Sequence, residues 1–169
     1  MTAGPADDRV RVTIAVDVPV EVAFDVFTRE TELWWRRGPR YRNAGDAPGT
    51  LAFEPRAGGR LFEEYASAAG RQVHVIGTIT TWAPPHRLAF TWRARNFAPG
   101  EVTEVAVEFA PTRRGTRVTV EHRGWATIRA DHPARHGQAA AAFLANLGRW
   151  WGDLLRPLQD RGPGPHFPK

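Results

Sequence analysis

Apolar and polar residues alternate along the first patterned stretch of the chain, RVRVTIAVDV, which begins at Arg9. The apolar positions recur every second residue, at Val10, Val12, Ile14, Val16 and Val18. A period of two places these side chains on one face of an extended chain. The stretch therefore predicts a β-strand with one buried face.

Helical spacing replaces this alternation in the next segment. Apolar residues recur three and four positions apart, at Val20, Ala23, Phe24 and Phe27. This spacing predicts a short helix, whose N-cap is Asp17, or Val18 if Pro19 is its first residue. The following segment, ETELWWRR, predicts a second short helix, and a loop rich in glycine and proline covers residues 38–49.

The middle of the chain carries only strand patterns. Six apolar segments follow one another, separated by short glycine- and proline-containing connections: LAFEP, RLFEEYA, QVHVIGTITTW, RLAFTWRA, EVTEVAVEFA and TRVTVEHRG. Short connections favour antiparallel neighbours, so these segments predict a six-stranded meander joined by the first strand. With the helical segment HGQAAAAFLANLGRWWGDLL near the end, the order of elements predicts an α+β fold.

The final helix has an unusually wide apolar face. Ala140, Phe143, Leu147, Trp151 and Leu154 fall within an arc of about 80° at 100° per residue, and Trp150 and Leu155 widen it to about 140°. Such a face suits a helix that lies across a curved sheet, with both tryptophans turned toward the sheet. Pro157 is expected to strain or end the helix.

Composition and charge narrow the functional classes. The chain has 169 residues, 42% of them hydrophobic and 24% charged, and no cysteine. These values predict one globular domain, over residues 9–159. The small polar residues 1–8 and the proline-interrupted residues 160–169 are expected to be disordered tails. With neither a secretory signal nor a membrane span in view, we expect a cytoplasmic protein that does not contact membranes.

The positive charge does not resemble a nucleic-acid-binding surface. The formal net charge is +5, and nearly all of the cations are arginines, since the only lysine is Lys169. The arginines are scattered among acidic residues and accompany no known reading motif, so no nucleic-acid partner is predicted. The abundance of arginine, alanine, glycine and proline is typical of a GC-rich bacterial coding sequence.

Five segments in order carry a resemblance to a known family: VPVEVAFDVFTRETELWW, GGRLFEEY, GTITTWAPPHRLAFTW, GTRVTVEHRGW and WGDLLRPL. They resemble the SRPBCC or START-like superfamily, within it the group named after the activator of the heat-shock-protein-90 ATPase, and the resemblance covers Val10 to about Leu158. Trp150 replaces a glycine that often precedes the tryptophan of the terminal helix in that group, and Pro157 interrupts its leucine ladder.

The resemblance implies a helix-grip (START-like or Bet v-like) fold. In this fold a curved seven-stranded antiparallel sheet surrounds a long C-terminal helix, and two short helices lie between the first and second strands. Members hold lipids, hormones, polyketides or other apolar molecules in the cavity between sheet and helix, and a minority catalyse reactions there. Fold alone does not distinguish these functions.

Strand alternation selects candidate cavity residues. Phe90 and Trp92 share one face of their strand, as do Val120 and His122 on another. Parity leaves the inner face of the strand QVHVIGTITTW open, because both of its faces are mixed. Of the adjacent Trp34 and Trp35, one is expected in the core and the other partly exposed at the cavity mouth. The predicted ligand-binding residues are Trp34, Trp35, Tyr65, Phe90, Trp92, His122, Phe143, Leu147 and Trp151.

Candidate chemistry is sparse. His122 is the one candidate catalytic residue: it could orient a ligand or act as a general base, or it could be a histidine at the rim that bonds a neighbour. His132 and His136 have the spacing of two metal ligands on a helix, but no third ligand stands at a recognisable distance, so neither a metal nor a cofactor is predicted. Glu63 and Glu64 point to opposite faces and form no acid–base pair.

Three functions remain open at this stage. The leading hypothesis is non-catalytic binding of a small apolar or aromatic molecule in the cavity. The first alternative is a cyclase-, dehydratase- or hydrolase-type enzyme that uses His122. The second is a co-chaperone-like interaction module, which an exposed apolar patch at Trp34, Trp35 or Trp125 would favour. A homodimer is possible under any of them.

Overall fold

The structure is a computed structural model that describes residues 9–93, 97–125, 128 and 140–160. The predicted tail 1–8 lies outside the described residues, and so does the predicted tail 160–169 except for Asp160.

The elements follow the predicted order. They are β1 (Arg9–Val16), α1 (Val20–Arg29), α2 (Thr31–Trp34), β2 (Gly49–Phe53), β3 (Arg60–Ser67), β4 (Gly70–Ala83), β5 (Arg87–Trp92), β6 (Thr103–Pro111), β7 (Thr116–Arg123) and α3 (Ala140–Gln159). The seven strands form one antiparallel sheet in the order β1-β7-β6-β5-β4-β3-β2. Both the meander and the addition of β1 at its edge are therefore confirmed.

The N-terminus of α1 differs from the prediction. Pro19 is the N-cap, and no side chain caps the helix, so the assignment to Asp17 or Val18 was wrong. The carbonyl of Pro19 accepts the amide of Ala23 at 2.9 Å. The carbonyl of Val18 is bonded to the sheet instead, where it accepts a hydrogen bond from the hydroxyl of Thr116 on β7 at 2.8 Å. The chain leaving β1 is thus tied to the sheet before the helix begins.

The C-terminal helix does not end at Pro157. It continues to Gln159, because the one hydrogen bond that the proline removes is replaced from outside the helix. A proline at position 157 leaves the carbonyl of Asp153, four residues earlier, without its helical donor. The Nε of Arg36 donates to that carbonyl at 2.7 Å. The proline therefore creates a docking point for the loop after α2.

Two irregularities in β4 explain why its faces could not be assigned from parity. The register skips Ile76 opposite β3 and Thr80 opposite β5. Each extra residue reverses the alternation, so Ile76 and Ile79 are both buried although they are three positions apart. At Gly77 the strand approaches β5 so closely that a Cβ would lie 1.7 Å from the carbonyl oxygen of Thr91. Only glycine fits there.

The main core lies between the concave face of the sheet and the three helices, with α3 packed along β1. A second, smaller apolar cluster sits at the N-terminal end of α3 and contains Phe97, Trp125, Ile128, Phe143 and Leu144. Trp92 and Leu147 are partly buried and pack against both the main core and this second cluster. The space between the two clusters forms the candidate site.

Candidate functional site: a cleft beside the C-terminal helix

Trp92 is the centre of an array of indole rings. As the last residue of β5 on the inner face, it meets Trp35 in a stacked arrangement, with ring centres 6.1 Å apart and planes 15° apart. Trp150 and Trp151 of α3 each approach Trp92 to 6.1 Å between ring centres, with their rings inclined to it. One large ring from the sheet therefore contacts both adjacent tryptophans of the helix, which explains the wide apolar face of α3.

The two helix tryptophans have different roles. Trp151 is fully buried, and its Nε1 donates to Nδ1 of His122 at 3.2 Å. Trp150 is half-buried; its Nε1 donates to the carbonyl of Arg40 at 2.8 Å, and its ring lies 5.7 Å from that of Tyr41. One indole completes the core, and the other joins the helix to the loop after α2.

His122 is buried and fully hydrogen-bonded. It is 1% exposed, and burial lowers the pKa of its imidazole from 6.5 to about 3, so the ring is neutral near pH 7. The indole of Trp151 can only donate, so Nδ1 must accept and the ring proton must reside on Nε2. Nε2 lies 2.7 Å from the hydroxyl of Thr103, which in turn donates to the carbonyl of Trp92 at 3.3 Å.

This chain of hydrogen bonds limits what His122 can do chemically. A general base needs an unoccupied lone pair within reach of the substrate proton, but the lone pair of His122 already accepts from an indole. Its position also differs from the rim position considered from the sequence, since the ring is buried although it borders the cleft. In this arrangement His122 connects the indole of Trp151, through Thr103, to the backbone carbonyl of Trp92.

A buried glutamate anchors the loop after α2. Glu63 of β3 is 1% exposed, and its carboxylate accepts the amide of Asn43 at 2.8 Å, the Nδ2 of Asn43 at 2.6 Å and the amide of Ala44 at 3.4 Å. A buried carboxylate requires such donors. Glu63 therefore has a structural partner, and Glu64 on the opposite face pairs with Arg71.

A buried arginine holds the start of the same loop. Arg42 donates to the carboxylate of Glu32 at 2.7 Å, to the carbonyl of Trp35 at 2.7 Å and to the carbonyl of Arg36 at 3.1 Å. With the bond from Arg36 to α3, these contacts fix the loop against both the sheet and the helix. The loop can then form one rigid wall of a cavity.

A half-open cavity of about 730 Å³ lies between this loop, the inner face of the sheet and α3, and we call it the cleft. Its walls are mainly aromatic and apolar, and its rim carries arginines. The lining residues are Pro39, Arg40, Tyr41, Arg42, Asn43, Ile76, Trp92, Arg93, Phe97, His122, Trp125, Phe143, Asn146, Leu147, Arg149, Trp150 and Asp153.

Gly124 positions Trp125, which forms part of the wall of the cleft. It follows β7 with φ of +95°, a conformation that residues with a side chain rarely adopt. The turn brings Trp125 back over His122, with ring centres 5.0 Å apart, and against Phe143 of α3 at 4.8 Å. A loop glycine thus joins the second apolar cluster to the sheet.

The structure brings four of the predicted ligand-binding residues to the cleft: Trp92, His122, Phe143 and Leu147. Trp34, Trp35, Phe90 and Trp151 are buried in the core behind it. Tyr65 lies at the other end of β3, paired with Gly49 and Gln72. None of these five lines the cleft, and their contact with a ligand stays a prediction.

The expectation that Trp34 or Trp35 would be partly exposed was wrong, because both are 2% exposed. Each indole nitrogen finds a backbone acceptor inside the protein. Trp34 donates to the carbonyls of Val26 and Phe27 at 3.2 and 3.3 Å, and Trp35 donates to that of Tyr41 at 3.1 Å. With their polar groups satisfied, both rings can be buried at adjacent positions.

Several cleft residues escaped the sequence prediction. Tyr41 and the arginines of the rim lie in loops or on the polar side of a strand or helix, where no periodicity marks them. Trp125 ends the motif GTRVTVEHRGW, two residues after the strand that carries His122, and this position could have marked it as a candidate ligand-binding residue. Trp150 was expected to face the sheet but was not included among the ligand-binding residues.

The remaining sequence predictions concern metals and membranes. Among the described residues, no group of three or more histidine or acidic side chains could hold a metal ion. His132 and His136 lie outside the described residues. In the part of the chain that the structure describes, no helix is long and apolar enough to cross a membrane.

A seven-stranded antiparallel sheet that curls around a C-terminal helix, with a cleft beside that helix, defines a helix-grip protein. The chain belongs to the family of Activator of Hsp90 ATPase homolog 1-like proteins, whose family model matches residues 17–150. The resemblance seen in the sequence motifs is therefore confirmed. A search of curated protein sequences finds no match to this chain.

Solved structures share the fold at low sequence identity. A protein from Rhodobacter sphaeroides is 20% identical, with 94% of this chain and 93% of that chain covered and a TM-score of 0.62. A protein from Chromobacterium violaceum is 17% identical, with 93% and 99% covered and a TM-score of 0.62. The Aha1 dimer from Colwellia psychrerythraea is 16% identical, with 92% and 98% covered and a TM-score of 0.58.

Proposed function

We propose that the protein binds a small apolar or aromatic molecule in the cleft. The observation that carries the proposal is an open volume of about 730 Å³ walled by large apolar side chains. Small-molecule sites in proteins typically measure about 300–1,000 Å³ and combine apolar walls with a few polar groups. The cleft has this size and this composition.

The walls favour a flat or elongated ligand. Trp92 and Trp150 form one side through the sheet and the helix, while Trp125 and Phe143 form the other. Aromatic rings at these positions can stack on a planar molecule or pack along an alkyl chain. Because hydrogen bonds to fixed backbone groups already satisfy Trp150 and the surrounding loop, the walls need little reordering to bind.

The geometry supports the two alternative functions less well. Enzyme chemistry at His122 lacks a free acceptor, since its lone pair accepts from Trp151. A co-chaperone-like role was expected to expose Trp34, Trp35 or Trp125, and these rings are 2%, 2% and 4% exposed. A homodimer stays a prediction; the relative from Colwellia psychrerythraea is described as a dimer.

Fluorescence titration with N-phenylnaphthylamine, an uncharged aromatic probe, tests the proposal. Leu147→Trp places an indole in the cleft from a half-buried position on α3 and keeps an apolar side chain there. Val75→Trp adds the same group on the exposed outer face of β4 and is the matched control. We expect the probe to bind the parent protein and the control equally, and Leu147→Trp to bind about tenfold more weakly or not at all.

Two results would contradict the proposal. One is the absence of saturable binding by the folded parent protein across apolar and aromatic probes. The other is equal binding by Leu147→Trp and Val75→Trp, which would mean that the probe occupies another surface.

A further inference from the structure

We propose that the ligand of the cleft is an organic anion, such as an aromatic or aliphatic carboxylic acid, whose charged group is held by Arg93 and Arg149 at the rim. This inference rests on the proposed function and adds the chemical class of the ligand. It comes from the excess of positive over negative side chains that line the cleft.

Four arginines and one carboxylate line the cleft. Arg40 pairs with Asp153 at 3.4 Å, and Arg42 is neutralised by Glu32 at 2.7 Å. Arg93 and Arg149 form no ion pair with any carboxylate of the described residues. Within the described ranges, the cleft therefore presents two positive charges without a carboxylate partner beside apolar walls.

Arg93 is held in place but keeps an unused donor. One terminal nitrogen donates to the carbonyl of Ala98 at 2.9 Å and approaches that of Phe97 at 3.4 Å. Its Nε is buried and has no hydrogen-bond partner among the described residues. A buried donor without a partner is unfavourable, and a turn of the guanidinium toward an anionic oxygen in the cleft would satisfy it.

Arg149 approaches the cleft from the helix. Its guanidinium is exposed and, among the described residues, bonds only the side chain of Asn146, one turn earlier. A guanidinium presents several donors in one plane, which suits a carboxylate. Trp92, Phe143 and both arginines line the same cavity, so a ligand with an apolar body and a charged end can contact rings and guanidinium groups together.

The test compares two probes that share one body. Anilinonaphthalene sulfonate carries an anionic group, and N-phenylnaphthylamine is the same molecule without it. Both are titrated against the parent protein, Arg149→Gln, Arg149→Lys and Arg114→Gln. Arg114 is an exposed arginine outside the cleft, so its variant has the same net charge as Arg149→Gln.

We expect the sulfonate to bind more tightly than the uncharged probe, and Arg149→Gln to weaken only the sulfonate, by about fivefold, the effect of losing one partly exposed charge contact. Arg149→Lys should restore part of the affinity, Arg114→Gln should behave as the parent, and added salt should weaken the sulfonate alone. Near-ultraviolet circular dichroism confirms that each variant is folded.

The outcomes separate the two proposals. If both probes bind equally to every variant and salt has no effect, the ligand is not selected by charge and this inference is wrong, while cleft binding stands. If Arg149→Gln and Arg114→Gln weaken the sulfonate equally, the attraction is due to net charge and the inference is also wrong. If neither probe binds the folded parent protein, the proposed function itself fails.

Discussion

Acidification should destabilise the protein through His122 before its carboxylates protonate. The imidazole has a pKa of about 3 in the fold, against 6.5 in the absence of burial. Between pH 6.5 and pH 3, this imidazole therefore binds a proton in the unfolded chain but not in the folded protein. Stability is lost as the pH falls through this range. Above pH 6.5 the ring is neutral in both states and the effect vanishes.

The magnitude follows from the distance in pH below 6.5. At about 1.4 kcal/mol per unit, a shift to pH 5 should lower the free energy of unfolding by about 2 kcal/mol. Glu121 and Glu54, whose pKa values are lowered by hydrogen bonds from Arg11 and Arg60, add their own losses at more acidic pH. Keeping the comparison at pH 5 and above limits their contribution.

Urea unfolding of the parent protein and of His122→Gln at pH 7.5 and pH 5 isolates this term. The variant is expected to be less stable at pH 7.5, because it loses the bond from Trp151, but its stability should fall by about 2 kcal/mol less between the two values. Carboxylate effects are common to both proteins and cancel in the difference. Equal pH dependence of the two proteins would refute the reasoning.

Nuclear magnetic resonance gives a readout that does not depend on the variant folding. The ring signals of His122 in the parent protein should show no titration between pH 8 and pH 5, whereas an exposed histidine titrates near 6.5. A midpoint near 6.5 for His122 would show that the ring is not sealed from water.

Three further predictions concern stability, each measured by urea or thermal unfolding. Gly152→Ala should stabilise α3 by about 0.5–1 kcal/mol, since a Cβ there meets nothing within 4 Å; Gly148→Ala should gain less, because its Cβ would lie 3.0 Å from a valine methyl of β1. Gly77→Ala should cost more than about 3 kcal/mol, because its Cβ would overlap the carbonyl of Thr91; an unchanged midpoint would contradict the close approach of β4 to β5. Glu63→Gln should cost about 1–3 kcal/mol and speed amide exchange in the loop it anchors; unaltered exchange would mean that the carboxylate is not the anchor.

The strand and helix order of this protein was determined by the sequence alone. Alternation with period two is visible in β1 and β7, because each buries one face and leaves the other toward solvent. The apolar stripe of α3 is visible for the corresponding reason at helical period. Such patterns are local, so they can be recognised without knowing what lies opposite.

Long-range contacts decided the features that sequence reasoning missed. The extra residues in β4 depend on how three strands register against one another, and no local pattern reports them. Pro157 was expected to disturb α3, but Arg36, more than a hundred residues earlier, occupies the carbonyl that the proline leaves unbonded. A side chain distant in sequence changed the outcome of a local rule.

In the candidate site, too, some features follow from local sequence patterns and others depend on tertiary contacts. The sequence determined that Trp92, His122, Phe143 and Leu147 face inward, since parity and helical spacing fix the direction of a side chain on a regular element. Only the tertiary structure decided which inward residues border open space and which are covered by other side chains, as Trp151 is. That distinction depends on packing between elements, because an apolar ring has the same sequence signature in a filled core and in the wall of a cleft.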